Sequence, residues 1–124
     1  MQLHLERPDY EYFLRGADGR HALVNDRRLV ESFLIAPDRL IEDWPVRDVT
    51  AMVPGDLEPL LALQPELIVL GSGATQLFPL PEVLAACLVH GIGLETMTTA
   101  AAACAFNVLA SEGRRVEAGF VITG

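Results

Sequence analysis

PELIVLGSGATQLFPLPEVLAACLVHGIGLETMTTAAAACAFNVLASEGRRVEAGFVITG, residues 65–124, decides the fold. Leu67–Gly71, Gly93–Met97 and Val116–Ile122 are short apolar runs of strand length, and the intervening Pro81–Val89 and Thr98–Ser111 carry helical spacing. Strands alternating with helices in this way build β-α units over a largely parallel sheet. Leu67-Ile68-Val69-Leu70 is apolar at consecutive positions, as a strand covered on both faces must be, so it is expected in the middle of the sheet. In the first helix Leu80, Val83, Leu84, Cys87 and Leu88 fall on one stripe, and Gly91 supplies the stop. In the second, Ala101, Cys104, Ala105, Val108 and Leu109 are expected to be buried beside the row Thr99, Ala103, Asn107 and Ser111. So many alanines imply close approach to the sheet.

Upstream, Tyr12–Arg15 and His21–Val24 read as a hairpin around Gly16-Ala17-Asp18-Gly19, since Asp-Gly tolerates the positive φ of tight turns. Leu29–Ile35 and Leu40–Trp44 follow as extended pieces, so residues of about 11–45 read as a β-meander ahead of an α/β core of about 54–124. Between them, Leu57, Leu60, Leu61 and Leu63 give a short helix entered at Pro54, a residue suited to the first helical turn. Its cap position is Val53, which has no side-chain acceptor, and Asp56 helps that end through its charge. Met1–Asp9 reads as a poorly structured lead-in. The 124 residues amount to a single domain.

Composition narrows the function classes. A net charge of −8, with nine Arg and no Lys, argues against nucleic acid, whose phosphates require clustered cations. Arg27-Arg28 and Arg114-Arg115 read as solvated strand entries, with a local anion contact as the alternative. No apolar run reaches the roughly 18 residues of a membrane span, and the acidic, apolar-poor start is not a signal peptide. Cys87 and Cys104 read as buried free thiols, which fits a cytoplasmic setting. His4, His21 and His90 are scattered, so neither a metal nor another cofactor is expected.

Ligands of open α/β sheets sit outside the carboxyl ends of the strands. Gly71, Ser72, Gly73 and Gln76 leave one strand there, and Thr98 and Thr99 open the last helix with free N–H groups that suit an anion, with Asn107 further along the same helix. The glycines lack the Lys-Ser/Thr of a phosphate loop, and Gln76 stands where a dinucleotide fingerprint needs glycine. Ser72 lacks the context of a nucleophile elbow, and Glu95 reads as a solvated carboxylate, so no catalytic residue is expected. Leu77 and Phe78, in a loop punctuated by Pro79 and Pro81, are candidate partner contacts, unless Phe78 folds back into the core.

Longer ordered motifs carry a resemblance. Gln76-Leu77-Phe78-Pro79-Leu80-Pro81, Gly91-Ile92-Gly93-Leu94-Glu95-Thr96-Met97-Thr98-Thr99-Ala100 and Glu112-Gly113-Arg114-Arg115-Val116 are among them, and Asn25-Asp26-Arg27-Arg28 extends the match upstream. Through these residues the chain resembles a small single-domain family of unassigned biochemical function that includes a mitochondrial respiratory complex I assembly factor. The resemblance implies a three-layer α/β domain with a mixed sheet and no established enzyme activity. Members often carry an acid where Thr98 stands and a base where Leu77 stands, so a role for that charge pair does not transfer. Two function classes follow: a non-enzymatic domain that assembles a complex by binding a protein partner, or a module or enzyme holding a small anion or metabolite in the crevice. A broad apolar patch favours the first, and a pocket with convergent polar groups favours the second.

Overall fold

The computed structural model describes residues 11–123, so the lead-in expected over Met1–Asp9 lies outside the described residues. In chain order the strands are β1 (Leu14–Ala17), β2 (Ala22–Val24), β3 (Arg27–Leu29), β4 (Phe33–Ala36), β5 (Arg39–Ile41), β6 (Leu67–Gly71), β7 (Gly93–Met97) and β8 (Val116–Phe120). The helices are α1 (Glu58–Leu61), α2 (Pro81–Val89) and α3 (Thr99–Ser111), with 3-10 turns at Val49–Ala51 and Pro54–Leu57. Two sheets form, β1-β2-β3 and the larger β5-β4-β8-β6-β7.

The large sheet is mixed. β6 runs parallel to both β7 and β8, whereas β4 pairs antiparallel with β8 and β5. β8 therefore occupies the middle and β6 lies one place off it, a correction to the expected order. Both strands are buried along nearly their whole length, so apolarity alone could not rank them. Pairing does: β4 and then β5 add antiparallel beyond β8, whereas β7 alone lies beyond β6. α2 connects β6 to β7 and α3 returns past β6 to β8, and the two helices pack on opposite faces of the sheet. One face of the sheet packs Ile68 and Leu70 with Trp44, Met52, Val83 and Cys87. The other packs Val69, Ala118 and Phe120 with Phe106, Ala102 and the small sheet.

The extended segment expected over Leu29–Ile35 breaks at Val30–Ser32, where the chain leaves the small sheet for the large one. Ser32 serves the junction: its Oγ accepts the Ile122 amide at 2.9 Å. The anticipated meander is thus divided between two sheets. The first hairpin forms, but neither Asp18 nor Gly19 has positive φ. Instead the Asp18 carboxylate accepts the Arg20 and His21 amides at 2.8 and 2.9 Å, closing an Asx-type turn. Gly19 is needed for close approach, since a Cβ there would lie 2.8 Å from the Ala74 nitrogen. The positive φ falls on Asn25, in the two-residue link between β2 and β3.

α3 is rotated from its expected face. Thr99, Ala102, Ala103, Phe106 and Ala110 are buried, while Ala101, Cys104 and Val108 are exposed and Ala105 and Leu109 are half-buried. The cause lies at its start, where Thr99 Oγ1 accepts the Gly73 amide at 2.8 Å and so fixes the helix rotation. Cys104 is consequently not a core thiol, unlike Cys87. The stripe expected on α2 is likewise only partly buried: Val83 and Cys87 enter the core, and Leu80, Leu84 and Leu88 do not.

Candidate functional site

At the carboxyl ends of β6 and β7 the sequence-derived crevice residues other than Asn107 come together, and their polar groups are largely taken up by bonds within the crossing. The Thr99 amide donates to the Gly73 carbonyl at 2.9 Å while the Gly73 amide donates back to Thr99 Oγ1. The Ser72 amide donates to Met97 O, and Gln76 Nε2 donates to Thr96 O, both at 2.9 Å. Thr98 caps α3 by accepting the Ala101 amide at 3.3 Å. Asn107 is engaged elsewhere, two turns along α3. Its Oδ1 accepts the Leu14 amide and its Nδ2 donates to the Leu14 carbonyl, so the side chain pairs with β1 as a neighbouring strand would.

This network has an outward consequence. Ser72 is buried, and its Oγ donates to Thr75 O at 2.7 Å and accepts the Leu77 amide at 3.0 Å. The loop after β6 is thereby held in one shape, with Leu77 and Phe78 displayed at its outer end. Phe78 is 65% exposed, so it is not folded into the core. Pro79 and Pro81 stiffen the passage into α2, on which Leu80, Leu84 and Leu88 recur at four-residue intervals on a side not taken by Val83 and Cys87. Leu88 and Val89 are 62% and 82% exposed. Isolated exposed leucines are ordinary, but Leu77 and Phe78 on the loop followed by Leu80, Leu84 and Leu88 along one side of α2 give this unit an apolar flank. Alongside it lies β7, an edge strand paired only with β6.

At the opposite, amino-terminal end of β8 lies a feature that sequence reasoning did not single out. Glu117 is a central-strand residue, only 6% exposed. Its Oε2 has no hydrogen-bond donor among the described residues. Desolvation raises its carboxyl to about 7, reinforced by the Asp38 carboxylate and opposed in part by Arg39 and Arg115. The available signal was a lone carboxylate inside an otherwise apolar run, Val116-Glu117-Ala118-Gly119-Phe120-Val121. Glu117 lines a cavity of about 630 Å³ together with Asp38, Arg39, Arg114 and Arg115. Among the described residues no cluster of His, Cys, Asp and Glu could hold a metal, and no helix is long and apolar enough to cross a membrane.

Fold and surface together define a small α/β domain with a mixed sheet, a self-bonded loop crossing and one apolar flank. Residues 14–121 match the family described as protein of unknown function (DUF498/DUF598), and the chain belongs to that family. A Xanthomonas campestris protein solved by NMR is similar at 54% identity, covering 100% of this chain and 94% of its own, with a TM-score of 0.85. A crystal structure from Bordetella parapertussis is 29% identical over 90% of this chain and 95% of its own, with a TM-score of 0.83. A Bordetella pertussis protein described as a Mth938-like domain is 26% identical over 100% of this chain and 94% of its own, also with a TM-score of 0.83. No curated protein matches the chain.

Proposed function

We propose that the chain is a protein-binding domain whose contact surface is the flank formed by Leu77, Phe78 and the outer face of α2. The observation that carries this reading is the exposure of Phe78 at the end of a loop whose shape is held by Ser72. A preorganised aromatic anchor binds at low entropic cost, because little freedom remains to be lost on docking. The chain's charge of −8, and the exposed Glu82 and Glu95 near the patch, suit a partner with an apolar pocket and a basic rim. An assembly role, which the family resemblance suggests for relatives, is one use of such a surface. The crevice reading has less support, since Thr99 and Gly73 bond to each other and Gln76 is spent on the Thr96 carbonyl.

Site-specific photo-crosslinking in the source cells tests the proposal. A photoreactive residue at Leu84 or Phe78 should trap the same partner, and one at Arg28, on the small sheet, should not. Equal capture from all three positions would contradict the assignment.

A further inference from the structure

The cavity beneath Glu117 is separate from the apolar flank and has its own chemistry. Two observations there need an explanation together. Glu117 presents a buried carboxyl oxygen with no donor, at a cost that native structures seldom bear without a use for the group. The same cavity is lined by Arg39 and Arg115, whose guanidinium groups form no ion pair among the described residues, whereas Arg114 is drawn 3.7 Å from Glu66. Acidic and basic groups thus share one space without neutralising each other through hydrogen-bonded pairs. The remaining wall is apolar: Ala36, Pro37, Leu63, Ala110 and Val116. At about 630 Å³ the space is within the range that holds small molecules.

We propose that this cavity binds a small zwitterion with an apolar body, an apolar α-amino acid being the simplest form, with its ammonium at Glu117 and Asp38 and its carboxylate at Arg39 and Arg115. Each charged group of such a ligand meets an unpaired group of opposite sign, and its side chain meets the apolar wall. A plain anion would leave Glu117 without a donor. A plain cation, including a metal ion, would face two guanidinium groups. Glu11 also borders the cavity and adds negative charge at its rim. Binding stabilises the ionised form of Glu117, so proton release accompanies it at neutral pH.

An NMR titration of the isotope-labelled protein with leucine, 3-methylbutylamine and 4-methylpentanoate tests the assignment. Leucine should give saturable shifts concentrated at the amides of Ala36, Asp38, Arg39, Arg115 and Glu117, and both single-charge analogues should bind more weakly. Glu117→Gln, nearly isosteric, should weaken leucine binding roughly tenfold or more, the loss expected for one charge-assisted contact. Arg39→Gln, at an exposed position where a substitution should leave stability nearly unchanged, should do the same. The proposal is overturned if leucine leaves these amides unmoved, if 4-methylpentanoate binds as well as leucine, or if Arg39→Gln binds leucine as the parent chain does.

Discussion

At the scale of single residues, burial and hydrogen bonding assign different work to side chains that look alike in the sequence. Glu95 and Glu117 are both glutamates on strands of the large sheet, yet Glu95 is exposed and Glu117 is enclosed. Raising a carboxyl from its ordinary 4.5 to about 7 means that the folded state holds a proton which the unfolded state has released between those values. Stability from this group is therefore fully present below pH 4.5, falls as pH rises toward 7 and is level above it. Glu117→Gln should remove that slope and stabilise the protein on the order of 2 kcal/mol at pH 8, read by urea denaturation of both chains at pH 5 and pH 8. Parallel stability profiles for the two chains would show that Glu117 ionises as freely folded as unfolded. For Asn107, which donates to and accepts from the Leu14 backbone, replacement by Ala should cost about 1–3 kcal/mol, because a half-buried amide and carbonyl lose both partners. A loss below about 0.5 kcal/mol in the same assay would mean that water replaces the side chain.

At the scale of elements, the α3 start and the strand end it meets behave as one joint. A Cβ on Gly71 would lie 3.0 Å from Phe120 Cδ1 and 3.1 Å from Thr99 Cα, so Gly71→Ala must push the helix off the sheet. About 1–3 kcal/mol should be lost, as in other overpacked sites, and a thermal melt will report it; an unchanged melt would mean that α3 shifts freely. This close approach was legible in the alanines of α3, as were the bounds of β6, α2, β7 and α3, where strand and helix periods are clean. The rotation of α3 was not. Ala101 and Ala102 offer the same small apolar surface, and the deciding bond from the Gly73 amide to Thr99 Oγ1 joins residues 26 apart in sequence. The division of the meander was hidden for a similar reason, since Ser32 has its role only through Ile122, 90 residues away. Phe78 was ambiguous between core and surface until the Ser72 bonds placed it.

At the scale of the whole molecule, the large sheet separates two functions of sequence: a core on each face, and a flank on α2 that the fold does not use. Amides of β6 and β8, bonded on both sides and buried, should exchange with solvent more slowly than those of the β1-β2 hairpin. Equal exchange rates would contradict the assigned centre of the sheet. The unused flank is the central claim, and Phe78→Ser tests it most directly when thermal stability and partner recovery are measured on the same preparation. An exposed side chain removed from a folded domain should change stability by no more than about 0.5 kcal/mol, while removal of an interface anchor should abolish recovery of the partner trapped from Leu84. A marked loss of stability with undiminished recovery would show that Phe78 belongs to the core and that the contact lies elsewhere.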